Sequence, residues 1–287
     1  MITLALVTLR EVLAQAEAGG YAVPAINVHT LEVLPAVLQV AAEERSPIIL
    51  QFTEGTLKFC GYDNVRVFAG HLARVAPVPV VLHQDHGASY AVAVRAIQAG
   101  FTSVMIDASR LPLEENIAAT RKVVELAHAC GVSVEAELGR VAGQEEEIAV
   151  SEAEAALTDP AEAARFAAET GVDALAVAVG TVHGFYRWEP KLAHDRIAAI
   201  RKAAGVPLVL HGGSGVPDEE VQRAIQLGIR KVNISTEAKW AWAQALRQSL
   251  ADRPDEFDPR PLLTPVMQAV QEVVRAKIRM VGANGKA

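Results

Sequence analysis

Residues 205–236 read GVPLVLHGGSGVPDEEVQRAIQLGIRKVNIST. A short apolar run, 206–211, opens at Gly205 and Pro207 and closes on His211 among glycines. A stretch with apolar residues at helical spacing follows at 219–227, and Gly228 leads into a second apolar run, 230–235. The reading is strand, helix, parallel strand, because a helix between two buried runs returns the chain to the same end of a sheet. The pattern extends toward the N-terminus. Apolar runs at 22–27, 47–53, 79–85, 103–107, 132–138 and 174–180 bring the total to eight. Helical periodicity fills 31–44, 91–99, 113–130 and 160–170, and a first helix is read at 7–18, closed by Gly19 and Gly20. An open, doubly wound sheet would need a glycine-rich turn after its first strand, and Asn27-Val-His-Thr30 stands there instead. The expected fold is α/β: a (β/α)8 TIM barrel with a short N-terminal helix and extra C-terminal helices, one domain over residues 1–287. Beyond the last strand, helical 238–251, proline-bearing 253–265 and a helix from 266 to about 280 exceed what one unit needs. Residues 253–287 are therefore expected to serve oligomer contacts.

The chain length of 287 residues suits a single barrel. A net charge of −7 argues against a nucleic-acid binder, which needs a basic face, but admits a small anionic substrate held by a few amides and cations. Cys60 and Cys130 form no CxxC pair, which points to a reducing compartment. The apolar start is interrupted by Arg10 and Glu11, and no run reaches the roughly 20 apolar residues that span a bilayer. A cytoplasmic protein with no membrane partner is expected.

Catalytic groups of a barrel come from the C-terminal ends of its strands. There the runs deliver Asn27, Thr53, Asp85 with His86, Asp107, Glu137, His183, His211, and Asn233 with Ser235 and Thr236. His86, His183 and His211, at separate strand ends beside carboxylates, suit a zinc site with an open fourth position better than three unrelated pocket histidines. His83 shares the strand parity of Asp85 and is read as a supporting group below it. His29, His71, His128 and His194 are read as surface residues. Gly180-Thr-Val-His-Gly184 and His211-Gly-Gly-Ser-Gly215 set histidines against glycines, where bare amides can approach an anion. With Asn233-Ile-Ser-Thr236 they form the usual barrel phosphate grip after the late strands.

At this point the sequence resembles the class II fructose- and tagatose-bisphosphate aldolases along nearly its whole length. The matching segments are Ala25-Ile-Asn27, Ser46-Pro-Ile48, His83-Gln-Asp-His-Gly87, Gly100-Phe-Thr-Ser-Val-Met-Ile-Asp107, Val134-Glu-Ala-Glu-Leu-Gly139, Thr181-Val-His-Gly184, Leu210-His-Gly-Gly-Ser-Gly215, Lys231-Val-Asn-Ile-Ser-Thr236 and Phe257-Asp-Pro-Arg260. The resemblance implies reversible cleavage of fructose 1,6-bisphosphate to dihydroxyacetone phosphate and glyceraldehyde 3-phosphate through a zinc-stabilised enediolate, with tagatose 1,6-bisphosphate as the alternative substrate. It implies zinc on His86, His183 and His211, and leaves room for a monovalent cation. Asp85 matches the acid/base at the C4 hydroxyl. Asp107 and Glu137 match carboxylates near an inner metal position, or partners that hydrogen-bond the ligands; both readings stay open. Glu145, or Glu146 in a shifted register, matches the loop carboxylate that moves a proton on the three-carbon product. Gly184, Gly212, Ser214 and Thr236 match the phosphate grip, with Thr53 where relatives often carry Ser. Arg260 matches an arginine that reaches a neighbouring subunit's substrate phosphate, implying a homodimer or homotetramer. Two positions depart from the family pattern. Ser235 stands where some fructose-specific relatives carry Asp and some tagatose-type relatives Ala, a position the resemblance places near the sugar's C4 hydroxyl, and Gln84 replaces a common Leu or Thr.

Rival chemistries fit less well. A Schiff-base aldolase needs a lysine at a strand mouth, whereas the sixth run has none and Lys231 lies inside the eighth. A zinc amidohydrolase usually needs an HxH pair on its first strand, which Ala25-Ile-Asn27 lacks. A non-catalytic partner subunit would be expected to lose Asp85 or a ligand, and all are present.

Overall fold

The computed structural model describes residues 5–145, 148–150, 156–184, 186 and 190–287, with the backbone alone for 142–145 and 148–150. In chain order the elements are α1 (Leu9–Gly19), β1 (Val23–Asn27), α2 (Val33–Glu43), β2 (Ile48–Thr53), α3 (Glu54–Cys60), α4 (Tyr62–Val75), β3 (Val80–Gly87), α5 (Tyr90–Gln98), β4 (Ser103–Ile106), α6 (Leu113–Ala129), β5 (Ser133–Leu138), β6 (Ala142–Glu145), β7 (Ile148–Val150), α7 (Pro160–Thr170), β8 (Ala174–Val177), β9 (Val182–His183), α8 (His194–Ala204), β10 (Leu208–Leu210), α9 (Asp218–Gln226), β11 (Ile229–Ile234), α10 (Thr236–Asp252) and α11 (Pro259–Met280). Eight parallel strands close in the order β1-β11-β10-β8-β5-β4-β3-β2, and each overlaps one of the eight apolar runs, with β3 running past its run to Gly87 and β11 starting before its run at Ile229. Helices lie outside, where their apolar stripes cover strands buried on both faces.

Local chemistry sets the ends of these elements. Thr8 and Glu11 form a reciprocal capping box on α1, whose buried Leu9, Val12 and Leu13 pack against β1, β3, β5 and β11. Asp159 caps α7, Pro160 fills its first position, and Gly171 ends it in the left-handed region.

Three features differ from the sequence reading. The last helix begins at Pro259, not near residue 266. Asp258 caps it, and prolines in a first turn lack only N–H groups that would have no intrahelical partner, so this proline-rich stretch starts a helix. Through Val270, Val274 and Ile278, α11 joins the core against α2 and β1, whereas α10 runs beside α11 with only Ala238 and Ser249 buried. Secondly, β6, β7 and β9 form a separate three-stranded sheet in which Gly143 pairs with His183 and Glu145 with Ile148. A two-residue strand carries too little periodicity to be read from sequence. Thirdly, His194 is buried, with Nε2 3.1 Å from Glu220 Oε2. Among the described residues no helix is long and apolar enough to cross a membrane, and Cys60 and Cys130 are unbridged.

Candidate active site

His86 arrives from the end of β3, His183 from β9 and His211 from the residue after β10. Their ring centroids are 4.7–5.8 Å apart, all three are buried, and one ligand atom of each lies within 4.8 Å of the others. Tetrahedral zinc bonded to imidazoles would draw such nitrogens to about 3.4 Å from one another, so the triad fits an ion with modest closure. The surrounding carboxylates orient the rings. His86 Nδ1 meets Asp107 Oδ2 at 2.9 Å, so His86 would present Nε2 to an ion. His211 Nε2 lies 3.0 Å from Glu135 Oε1, so His211 would present Nδ1, 3.2 Å from Glu137 Oε2, to an ion. A second cluster able to hold an ion joins His86, Asp107 and Glu137.

The electrostatics suit an exchange of proton for metal. Burial alone would lower the His211 pKa, but the Glu135 and Glu137 carboxylates push it up to about 9. An incoming ion would therefore displace a proton from it. Burial would raise Asp107, yet its hydrogen bond with His86 holds the carboxyl well below the usual range. Glu137 moves the other way, raised by burial and by the nearby Asp107 charge.

Asp85 is fully buried beside this centre. Asn27 Nδ2 donates to its Oδ2 at 2.9 Å, and Asn233 Nδ2 lies 3.5 Å from Oδ1. Gln51 in turn donates to Asn27 Oδ1 at 2.6 Å, and Lys231 Nζ to Asn233 Oδ1 at 2.7 Å. Lys231 also meets Glu135 Oε2 at 3.0 Å, and His83 Nδ1 lies 2.8 Å from Ser103 Oγ. Barrel interiors are ordinarily filled by branched apolar residues. Here Gln51, His83, Ser103, Glu135 and Lys231 form a polar tier below the mouth, each with no exposed surface. Of this tier, Gln51, Ser103 and Glu135 escaped the sequence reading. Period two would have found Gln51 and Glu135, which stand two residues before Thr53 and Glu137 on the same strand face.

A cleft lined by His183, Gly184, Gly212, Ser214, Asn233, Ser235, Thr236 and Lys239 adjoins the triad. The left-handed backbone at Gly212 admits no side chain, because a Cβ there would collide with the Val182 carbonyl. Ser214 Oγ accepts from the backbone N–H of Ser235 and Glu237 at the start of α10. Tyr186, also unforeseen, accepts from Val182 N and donates to Gly212 O, tying β9 to this turn. Lys239 is a cation that sequence reading missed; it lies one helical turn beyond Ser235.

Not every anticipated residue gathers here. Thr53 lines a separate cavity of about 530 Å³ that also touches His86, Ser89, Asp107, Arg110 and Lys122. Arg260 sits at the start of α11, its side chain 87% exposed and paired with Asp258. The backbone of Glu145 ends β6, but its side chain lies outside the described residues, as does Glu146 altogether.

The family model described as fructose-bisphosphate aldolase class-II matches residues 7–286. The chain is 46% identical to a probable fructose-bisphosphate aldolase of Bacillus subtilis, over 98% of this chain and 99% of that protein. It is 44% identical, with the same coverage of both, to the D-tagatose-1,6-bisphosphate aldolase subunit GatY of Klebsiella oxytoca. The crystal structure of the YdjI aldolase from Escherichia coli K12 superposes with a TM-score of 0.86, at 36% identity, covering 98% of this chain and 99% of that one. A match this long, carried by a barrel that gathers three histidines and an aspartate at one mouth, leaves one conclusion: the chain belongs to the class II fructose-bisphosphate aldolase family.

Proposed function

We propose that the protein is a zinc-dependent ketose 1,6-bisphosphate aldolase, with His86, His183 and His211 as the metal ligands and fructose 1,6-bisphosphate as the favoured substrate. The observation that carries this reading is the buried histidine triad beside Asp85. Zinc on three neutral imidazoles keeps its full double charge and would supply, as a Lewis acid, the sink for the electron pair released when C3–C4 breaks. Asp85 takes the proton of the C4 hydroxyl as that carbon becomes the aldehyde, and returns it in condensation. The Asn27 amide donates to one of its oxygens and the Asn233 amide faces the other, which orients the carboxylate. Glu145 delivers a proton to carbon in the three-carbon half to complete dihydroxyacetone phosphate. Gly184, Gly212, Ser214 and Thr236 hold one phosphate with backbone N–H groups and hydroxyls, and Ser235 meets the C4 hydroxyl of the sugar. Thr53 serves the other end of the sugar. The exposed Arg260 suits a role at a neighbouring subunit's phosphate in a dimer or tetramer working in the cytoplasm.

Chelation tests the reading. Exhaustive removal of metal should abolish cleavage and lower the melting temperature, because an ion that binds only the folded chain stabilises it. Added zinc should restore both. Full activity in protein shown by metal analysis to be empty would overturn the three-histidine assignment.

A further inference from the structure

We propose that Lys231 is a positioning residue for carbon–carbon cleavage, whose buried ammonium orients the Asn233 amide and, through it, the carboxylate of Asp85. The inference rests on the reading of Asp85 as the acid/base at the C4 hydroxyl.

Lys231 has no exposed surface and lies in the polar tier beneath the mouth. A buried ammonium is costly unless paired, and breaking such a pair from one side leaves a stranded charge. Its partner is Glu135, also fully buried, with contacts of 3.0 and 3.3 Å. The remaining described bond runs to Asn233 Oδ1 at 2.7 Å. An ammonium has donors and no acceptor. It therefore obliges the Asn233 oxygen to face down, and the NH2 group must then face up, where Asp85 Oδ1 lies 3.5 Å away. That distance is long for a hydrogen bond, as catalytic contacts often are before substrate closes the site. Without the ammonium, the amide could turn over and aim its oxygen at the Asp85 carboxylate, an acceptor against an acceptor. Glu135 completes the arrangement, since the same carboxylate that balances Lys231 receives His211 Nε2. With Nζ ion-paired and hydrogen-bonded below the mouth, Lys231 acts by orientation and not as a nucleophile.

The two half-reactions separate this role from a structural one. Exchange of a carbon-bound hydrogen of dihydroxyacetone phosphate with solvent deuterium needs the metal centre and the carbon-directed proton carrier. It involves no C4 hydroxyl and therefore no Asp85. The neutral pair Lys231→Met/Glu135→Gln removes the ammonium without stranding a charge, and Lys231→Gln/Glu135→Gln does the same while returning an N–H donor to Asn233. Whatever Glu135→Gln costs at His211 is common to both, so the two pairs are compared with each other. They should hold metal, melt and exchange dihydroxyacetone phosphate alike, while the Met pair cleaves the bisphosphate with a kcat about 10–100-fold below that of the Gln pair and KM little changed. If both pairs fail to hold metal, Lys231→Met and Lys231→Gln, which keep Glu135 on His211, carry the same comparison. Two outcomes would each overturn the proposal: equal cleavage by the Met and Gln variants, or exchange falling with cleavage in the Met variant. Asp85→Ala measured alongside keeps the two readings apart. If it too loses exchange, the assignment of Asp85 fails and the proposal with it. If it loses cleavage alone while the Met/Gln pair loses both, only the role of Lys231 is overturned.

Discussion

Asp85 and His86 are neighbours in sequence, and in a regular strand their side chains would point to opposite faces. Both nonetheless belong to the mouth, because His86 adopts a left-handed backbone with φ of 47° where the register between β3 and β4 shifts. Such a conformation costs about 1–3 kcal/mol and persists only where the surroundings impose it. Buried Gln84, which has no evident role in sequence, donates from Nε2 to the Asp85 carbonyl at this irregularity. The roles of the two neighbours should separate on mutation. Asp85→Ala is expected to keep its metal and lose on the order of 10²-fold or more in kcat, since on the proposed function it removes the proton carrier and no ligand. If the variant instead lost its ion, and excess zinc restored turnover, Asp85 would be a ligand.

For the strand β3 as a whole, the same bend depends on Gly87. A Cβ there would lie 2.5 Å from the Met105 carbonyl and 2.7 Å from Gln84 Oε1, and the first of these is backbone on the neighbouring strand. Gly87→Ala is therefore expected to push the end of β3 away from β4, carry His86 off Asp107 and weaken metal binding by about 10–100-fold. Competition against a chelator measures this, and parental affinity would show that the strand end absorbs the methyl elsewhere. The bend marks a limit of sequence reading. Alternation places His83 and Asp85 on one face correctly, but the turn that adds His86 to them depends on a neighbour 21 residues away. His183 was legible as a residue and not as an element, since β9 exists only through its pairing with β6.

At the scale of the whole molecule, two cavities adjoin the histidine triad: the glycine-rich cleft beside His183 and the larger cavity beside His86 that contains Thr53. Two anionic ends of one sugar suit this layout. On the proposed function, discrimination at C4 would fall to Ser235, a buried hydroxyl lining the first cleft. A hydroxyl can donate to or accept from either C4 epimer, and strong rejection arises only where a buried polar group is left unpaired. The ratio of kcat/KM between fructose and tagatose 1,6-bisphosphate should therefore be modest, within roughly 10–200-fold. Both sugars measured at the same zinc and salt concentrations decide it. A ratio above about 10⁴ would mean that another residue reads C4.

The sequence by itself determined the eight strands, their parallel arrangement and the polar residue at each strand end, because strand period, helix period and turn residues are local properties of the chain. Only the tertiary structure decided that a polar tier lies under the mouth, with Glu135 and Lys231 paired across the barrel from strands 96 residues apart. Likewise only the fold could show that α11, not α10, closes the barrel against β1. A buried charge is tolerable only where its partner sits, and an apolar helix face is satisfied by whichever strands remain uncovered. Neither partner is near in sequence, so neither choice is written in any one segment.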